Sequence, residues 1–341
     1  MDLITQGLLG GVLAQSVARK EEKKHATIIG MFAGVLADAD ILIASSSDPL
    51  LNIEFHRHFT HSLFFIPFGA ALAFLLLWPF MRHRLSNARL YLFCFVGYSM
   101  SGVIDACTSY GTHLLWPLSD ERIAWHLISI VDPIFTMALL FTLVMGLRKP
   151  ARAWAGYGLL FAVGYMSLGY MQLQRAMDIS TQLAQSRGHQ PIKHVVKPTL
   201  GNLLLWRSTY INERYIYVDA VRLGIVDDSR IYQGSSVPRL DIEKDLPDLD
   251  ASKTLFQDIK RFNKFSDGFI AYDPTQVNVI GDMRYSMLPT GIAPLWGIVI
   301  DKQNPDQHAD YQFFRENNHQ NRQQFINMLL GDDPGRVKNG S

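Results

Sequence analysis

The stretch of sequence that decides the fold is His56-Arg57-His58-Phe59-Thr60-His61-Ser62, followed at once by a nearly unbroken apolar run over residues 63–80. A transmembrane helix needs about 20 mostly apolar residues, so this run predicts a membrane span. Ionisable groups are costly in bilayer hydrocarbon, and several of them at the mouth of a span indicate a site. The stretch therefore predicts chemistry at a membrane face.

Further apolar runs lie on both sides of this stretch. They cover residues 90–106, 128–147 and 154–173, with two weaker runs over residues 4–18 and 26–44. The predicted fold class is thus an α-helical polytopic membrane domain with about six transmembrane helices, followed by a small soluble α+β domain. No basic stretch precedes the first run, so a cleaved secretory signal is not expected.

The second half of the chain is more polar. Aromatic and β-branched residues predict strands over 203–211 and 215–223, joined by a hairpin turn at Asn212-Glu213. Helices are predicted over 252–265 and 309–330. We expect the domain limits to be 1–175 for the transmembrane domain, 176–330 for the soluble α+β extension and 331–341 for a disordered tail.

Basic residues between the spans predict the orientation in the membrane. They concentrate in residues 19–24, 82–89 and 148–152. Because cytoplasmic loops carry an excess of Lys and Arg, these three loops are predicted to be cytoplasmic. Both termini would then lie on the outer side of a cytoplasmic (inner) membrane.

Acidic and imidazole side chains gather at the outer ends of the predicted spans. The residues are Asp38, Asp40, His56, His61, Asp105 and Asp132. Random placement would populate both ends, so this segregation indicates a site. Mixed Asp and His ligation suits a divalent metal such as zinc, manganese or iron, which can lower the pKa of bound water. Hydrolysis is the simplest reaction for such a site.

Separate roles are predicted within this region. The expected metal ligands are Asp38, Asp40, His56, His61 and Asp105. Arg57 is predicted to clamp a phosphate or carboxylate through its planar guanidinium. Asp132 precedes Pro133, so it is either a general base or the N-cap of a helix, and Thr60 is predicted to cap the span that follows it.

Four sequence motifs, in order, resemble those of the YdjM/YbcI-like family of predicted membrane-bound, metal-dependent hydrolases. The family's marks are D-x-x-T-H-x-L-x-G, an Asp-x-Asp pair, H-R-x-x-T-H-S and D-x-x-T-x-Y-G-T-x-x-L-W-P. Here they stand as Asp2, Thr5, Leu8 and Gly10; Asp38 and Asp40; His56, Arg57, Thr60, His61 and Ser62; and Asp105, Thr108, Tyr110, Gly111, Thr112, Leu115, Trp116 and Pro117. The resemblance covers roughly residues 1–175 and implies a metal-dependent hydrolase in the inner membrane.

The chain departs from these motifs at two positions. Gln6 stands where the family has His, and Ala37 replaces the usual Pro before the aspartate pair. His58, where the family often has Gly, offers an imidazole in compensation. Taken singly, His58, His113 and His126 are more typical of solvated flanks or helix caps. A degenerate, non-catalytic member of the family is therefore one alternative.

The leading hypothesis is a membrane-bound hydrolase that acts on a phosphoester or a lipid-linked substrate. The expected partners are the lipid bilayer and a small-molecule or lipid-linked substrate, and the net charge of +1 gives no reason to expect nucleic-acid binding. The alternative is a non-catalytic membrane protein that binds metal for structure, sensing or transport. A third hypothesis assigns the activity to the soluble domain and treats the spans as an anchor.

Overall fold

A computed structural model describes residues 1–149, 152–224, 228–314 and 319–334. The greater part of the predicted disordered tail, residues 335–341, lies outside the described residues. The chain forms two compact units. The first comprises Met1–Ile43, Glu54–Met171 and Leu200–Asn202, and the second comprises Ala44–Ile53, Gln172–Thr199 and Leu203–Ser341.

The first unit is helical. Its main helices are α1 (Leu3–Val17), α2 (Lys23–Leu36), α4 (Ile66–Met81), α5 (Asn87–Ser99), α6 (Ser101–Ala106), α7 (Pro133–Arg148) and the first half of α8 (Arg152–Ser186), while the short α3 (Leu51–Phe55) begins in the second unit. Two 3-10 segments matter for the site, Ala37–Leu42 and Phe59–His61. They interrupt the helices at the points where the acidic and imidazole residues of the motifs occur.

Small residues allow α1 and α2 to pack closely. A Cβ added to Gly10 of α1 would overlap the carbonyl oxygen of Gly30 in α2, and one added to Gly30 would overlap that of Gly10. Glycine at both positions therefore permits direct contact between the two backbones, as in tightly packed membrane helices. At the start of α1 the Asp2 carboxylate accepts a hydrogen bond from the Thr5 amide, 3.0 Å away, and caps the helix.

The prediction of about six membrane spans is wrong in number. Among the described residues, two helical runs are long and apolar enough to cross a membrane, Lys20–Leu42 and Leu63–Met81. Leu3–Val17 and Pro133–Arg148 are apolar but shorter, below the length of about 20 residues that spans the hydrocarbon core.

The remaining predicted spans fail for two different reasons. The run over residues 90–106 is broken at Met100, which separates α5 from α6. The run over 154–173 lies within the 35-residue helix α8, which is long enough to cross a membrane. Its interspersed glycines and tyrosines lower its hydropathy, so it is not apolar enough to count as a span. Hydropathy alone could not reveal the break at Met100, because both halves are apolar.

Large apolar side chains remain exposed on the outward faces of this unit. On α4, Phe68, Leu75 and Phe80 are each at least 65% exposed, and on α7 Ile134 and Met137 are also exposed. Exposed apolar patches of this kind mark membrane or protein contacts.

The second unit contains two four-stranded antiparallel sheets. One has the order β1 (Lys193–Pro198), β2 (Leu205–Asn212), β3 (Tyr215–Leu223) and β4 (Ser229–Pro238), and the other β5 (Ile270–Tyr272), β6 (Val279–Asp282), β7 (Trp296–Val299) and β8 (Asp310–Phe313). Helices α9 (Ile242–Asp245), α10 (Thr254–Phe265) and α11 (His319–Leu330) complete it. Ile259 and Phe262 of α10 pack in one core with Ile280 and Ile298 of the second sheet.

The mixture of helices and strands in the second unit was predicted correctly in outline. The hairpin of β2 and β3 is confirmed, with Glu213 in the left-handed region (φ 51) at its turn. The helix predicted over 309–330 is wrong at its start, because Asp310–Phe313 pairs with β7 as an edge strand. The domain limit predicted after residue 175 stays a prediction, and α8 continues through it to Ser186.

Candidate metal centre

The predicted ligands reach the site from three segments of the first unit. Asp38 and Asp40 lie on the 3-10 segment Ala37–Leu42, where the α-helical winding of α2 ends. His56 and His61 lie on the turns before α4, and Asp105 lies on α6. The structure therefore brings all five predicted ligands together. Their ligand atoms form two groups that share Asp38, namely Asp38, His61 and Asp105, and Asp38, Asp40 and His56.

Asp40 holds the histidine-bearing turns in place. Its Oδ2 atom accepts hydrogen bonds from the Thr60 hydroxyl at 2.6 Å and from the Arg57 amide at 2.8 Å. Its Oδ1 atom lies 2.8 Å from Nδ1 of His56. Both carboxylate oxygens therefore already have partners. This indicates that Asp40 mainly positions the turns that carry His56 and His61, and is less available as a metal ligand.

Arg57 adopts a left-handed backbone conformation, with φ 62, that is uncommon for a residue other than glycine. The segment after Asp105 stabilises this conformation, because the Thr112 hydroxyl and the His113 amide donate to the Arg57 carbonyl at 2.9 and 3.1 Å. The guanidinium lies over the Tyr110 ring, 5.1 Å from its centroid. Backbone strain of this kind is often found at functional sites.

The Arg57 side chain points into the protein. It is buried, its Nε atom lies 3.1 Å from Oδ2 of Asp105, and its Nη2 donates to the Met1 carbonyl at 3.1 Å. This environment supports a role in positioning Asp105. The predicted clamp on a phosphate or carboxylate stays a prediction.

His61 is surrounded by carboxylates. Its Nε2 atom lies 3.0 Å from Oδ2 of Asp105 and 3.3 Å from Oδ1 of Asp38, and its Nδ1 atom lies 3.2 Å from Oδ2 of Asp40. Burial opposes a charge on this imidazole, but the adjacent carboxylates, with Asp105 first, raise the pKa of His61 to about 10. The cluster therefore favours a positive charge at this position, carried by either a proton or a cation.

Asp38 is the least satisfied member of the cluster. The residue is 8% exposed, and neither of its carboxylate oxygens has a hydrogen-bond partner among the described residues. The Nε2 atom of His61 also lacks hydrogen-bond geometry to any of them. A buried carboxylate without donors is costly. The donor set of oxygens and an imidazole around this position fits a divalent cation.

The cluster holds more carboxylates than built-in cations. Asp38, Asp40 and Asp105 supply three carboxylates, and the Arg57 guanidinium lies 3.1 Å from Oδ2 of Asp105. This excess of negative charge favours a further positive charge at the position of His61, which either a proton or a bound cation can supply.

Asp132 lies apart from these contacts. It is buried at the N-cap of α7, where its Oδ1 accepts from the Phe135 amide at 3.0 Å, and the Tyr165 hydroxyl donates to both of its oxygens. None of its contacts among the described residues joins it to the five predicted ligands. Of its two predicted roles, the N-cap is observed, and the general-base role stays a prediction.

The predicted cap at Thr60 is wrong. Ser62 caps the segment that leads into α4, because its side chain accepts from the Phe65 amide at 3.2 Å. The Thr60 hydroxyl instead donates to Asp40, and its carbonyl accepts from Tyr98 at 2.7 Å. Sequence spacing did not distinguish two neighbouring hydroxyl residues that can each serve as a cap.

Gln6 is a site residue that the pattern of charged residues does not reveal. Its Nε2 donates to Oδ2 of Asp105 at 3.0 Å, and its Oε1 is buried without a hydrogen-bond partner among the described residues. The signal was present in the motif comparison, where Gln6 replaces a histidine. Thr108 is also close, since its hydroxyl lies 3.5 Å from Nη1 of Arg57.

A further group in the second unit resembles a metal site in composition only. Asp48, Asp258 and His308 lie within ligand distance of one another. The Arg261 guanidinium donates to Asp48 and to Asp258 at 2.9 Å. A guanidinium therefore already occupies the position between these carboxylates.

Comparison with protein families places the first half of the chain. A family model described as YdjM inner membrane protein matches residues 1–176, about half of the 341-residue chain. No curated protein and no solved structure matches the chain. The match covers every residue of the candidate metal centre.

Proposed function

The chain belongs to the YdjM inner membrane protein family, and from that premise we propose that it is a membrane-bound, metal-dependent hydrolase. Its proposed site is the cluster of Asp38, Asp40, His56, His61 and Asp105, at the outer face of the inner membrane. The observation that carries this proposal is the buried Asp38 carboxylate, which belongs to both ligand groups and to which no group in the described part of the chain donates a hydrogen bond.

The residues of the cluster divide the work of such a site. Asp38, His61 and Asp105 offer the atoms that face one another, so they are the proposed primary ligands. Asp40 fixes the backbone at Arg57 and the hydroxyl of Thr60, and Arg57 orients Asp105. A divalent metal held there would lower the pKa of a water molecule toward neutrality and so supply a nucleophile.

We propose a phosphoester or a lipid-linked compound as the substrate. The exposed apolar faces of α4 and α7 support contact with lipid, and a site at the end of the run Leu63–Met81 would lie at headgroup depth. The identity of the metal is part of the proposal. Oxygen-rich ligation with one or two imidazoles suits zinc, manganese or iron.

The test uses the full chain in detergent, stripped with a chelator and reloaded separately with zinc, manganese or iron. Phosphate release from a lipid phosphomonoester in mixed micelles and from a soluble phosphomonoester would be measured for the wild type and for Asp38→Asn. Asp38→Asn removes the charge and keeps the size of the side chain. We expect metal-dependent release in the wild type and a loss of at least 100-fold in the variant, as for loss of a catalytic group.

A non-catalytic metal-binding protein is the second candidate function. Gln6 favours it, because an amide contacts Asp105 at the position where the family motif has an imidazole. Metal that binds through Asp38 without hydrolysis of either substrate class would support this candidate against the hydrolase.

A further inference from the structure

Two histidines outside the cluster described above face a shared carboxylate. Nε2 of His58 lies 3.4 Å from Oδ1 of Asp120, and Nδ1 of His113 lies 3.5 Å from the same oxygen. The two imidazole rings lie close together and are tilted by 42°, with centroids 4.4 Å apart. The three residues offer ligand atoms that all lie within 4.8 Å of one another.

The local backbone brings these residues together. A bridge of two backbone hydrogen bonds joins Thr112 to Ile123, at 3.0 and 2.8 Å, and closes the loop that carries His113 and Asp120. The His113 amide also donates to the Arg57 carbonyl at 3.1 Å, beside His58 in the chain. The two histidines are therefore held by main-chain contacts that do not involve their side chains.

Each of the two imidazoles has a buried ring nitrogen without a hydrogen-bond partner among the described residues. His113 is 8% exposed, and its Nδ1 atom, aimed at Asp120, has no hydrogen-bond partner among the described residues. On His58 it is Nε2 that faces Asp120, while the opposite ring nitrogen, Nδ1, is buried without a partner among the described residues. Buried ring nitrogens usually have a partner. The His58 Nε2 and His113 Nδ1 atoms lie 3.4 and 3.5 Å from the shared oxygen, which is longer than a normal hydrogen bond and leaves room for an ion between the three atoms.

We propose that His58, His113 and Asp120 form a second divalent-cation site, with two imidazole nitrogens and one carboxylate oxygen as ligands. This ligand set suits zinc, which commonly takes three protein ligands and one open position. The Asp120 side chain is 57% exposed, so the open position faces solvent. The site shares no residue with the cluster around Asp38.

The proposal explains two histidines at positions that the motifs leave open. His58 lies within H-R-x-x-T-H-S and His113 within Y-G-T-x-x-L-W-P, at x in both. Neither histidine by itself indicates a site. The loop closed by the Thr112–Ile123 bridge brings the two imidazoles next to each other. The site therefore belongs to this chain's own sequence and not to the shared motif.

The test uses Co²⁺ alone as the probe, added to the chelator-stripped full chain in detergent. Four-coordinate cobalt gives visible absorption bands, which would be titrated for the wild type, His58→Gln, His113→Gln and Asp120→Asn. We expect each variant to bind one fewer ion, with affinity at this site lowered by more than the roughly 10–100-fold that loss of an outer-shell partner costs. His83→Gln, which removes an exposed histidine, is the matched control and should bind as the wild type does.

Asp120→Cys guards against a variant that merely fails to fold. Residue 120 is exposed, so the substitution leaves the core intact, and a cysteine ligand would add a thiolate-to-cobalt charge-transfer band. Appearance of that band, and retention of the site in Asp38→Asn, would support the proposal even if the hydrolase assignment failed. Unchanged cobalt binding in His58→Gln and His113→Gln, or no new band in a folded Asp120→Cys that still binds cobalt, would overturn it.

Discussion

Gly102 of α6 lies directly against the main chain of His61. A Cβ added at Gly102 would overlap the His61 carbonyl oxygen and would lie 3.2 Å from Cδ1 of Leu114. Because the obstructing atom belongs to the backbone, it cannot move aside as the end of a flexible side chain could. The glycine therefore sets the distance between the helix that carries Asp105 and the turn that carries His61.

We predict that Gly102→Ala displaces His61 from Asp105 and weakens metal binding. Overpacking of a buried contact destabilises a protein by roughly 1–3 kcal/mol, so the melting temperature should also fall. The control is Gly164→Ala on α8, where an added Cβ has no neighbour within 4 Å, and where alanine should stabilise the helix by up to about 1 kcal/mol. Wild-type metal content in a folded Gly102→Ala would refute this role.

Gln6→His is predicted to strengthen metal binding. The side chain at position 6 already reaches Oδ2 of Asp105, and its Oε1 has no partner among the described residues. An imidazole there would add a nitrogen ligand and restore the family motif. A zinc titration should show an affinity increase of roughly 10-fold or more, of the size that metal-site shells contribute. An equal or weaker affinity would show that position 6 is not a ligand position.

Lys197→Met is predicted to stabilise the second unit. Lys197 is buried, its Nζ lies 2.8 Å from the centroid of the Tyr285 ring, and it has no hydrogen-bond acceptor among the described residues. Burial, together with Arg207 and Arg284, lowers the pKa of Lys197 well below its usual value. Methionine keeps the shape and removes this desolvation penalty, so the free energy of unfolding at pH 7 should rise on the order of 1 kcal/mol.

The control for this prediction lies on the same strand. Lys193 of β1 is exposed and its amine pairs with Asp267 at the surface. Because exposed ion pairs contribute at most about 1 kcal/mol, Lys193→Met should lower stability by no more than that and should not raise it. A clear loss of stability in Lys197→Met, measured by thermal and denaturant unfolding, would instead indicate that the amine is charged and stabilised by the Tyr285 ring.

His194 is predicted to make the second unit sensitive to acid. Burial lowers the pKa of its imidazole from 6.5 to about 4. The unfolded chain therefore binds a proton that the folded chain excludes, and the stability contributed above pH 6.5 is lost as the pH falls toward 4. The loss from this residue should be on the order of 2 kcal/mol, since each pKa unit corresponds to about 1.4 kcal/mol.

Unfolding measured between pH 7 and pH 4 would check this dependence. His194→Gln should flatten the profile because glutamine does not titrate and can still bond to Ser208, whose hydroxyl lies 2.9 Å from Nε2 of His194. His319→Gln, which removes an exposed histidine of α11, should leave the profile unchanged. Equal profiles in the wild type and His194→Gln would contradict the prediction.

The composition of the candidate site was readable from the sequence. Asp38, Asp40, His56, His61 and Asp105 were predicted from charge segregation, and the structure brings them together. The separate roles of these residues could not be predicted, because they depend on which carboxylate accepts hydrogen bonds in the folded chain. The Asp40 carboxylate accepts hydrogen bonds from the Thr60 hydroxyl and the Arg57 amide, whereas the Asp38 carboxylate accepts none from the residues that the structure describes.

The fold was less fully predictable than the site. Hydropathy located apolar stretches but not the break between α5 and α6 at Met100, since no proline marks it. In the second unit, the residues of β8 were predicted to be helical. They form a strand because they pair with β7, and this pairing is not visible in the local sequence. Local propensity is overridden in such cases by tertiary context.

The central claim is that Asp38 binds a divalent metal ion. The most direct measurement is the metal content, by mass spectrometry, of the full chain purified in detergent and reconstituted with zinc, manganese or iron, for wild type and Asp38→Asn. We predict that the variant still unfolds in a cooperative thermal transition, which shows that it is folded, and that it binds one fewer ion per chain than the wild type. Equal metal content in the two proteins, or no metal in the wild type after reconstitution, would contradict the claim.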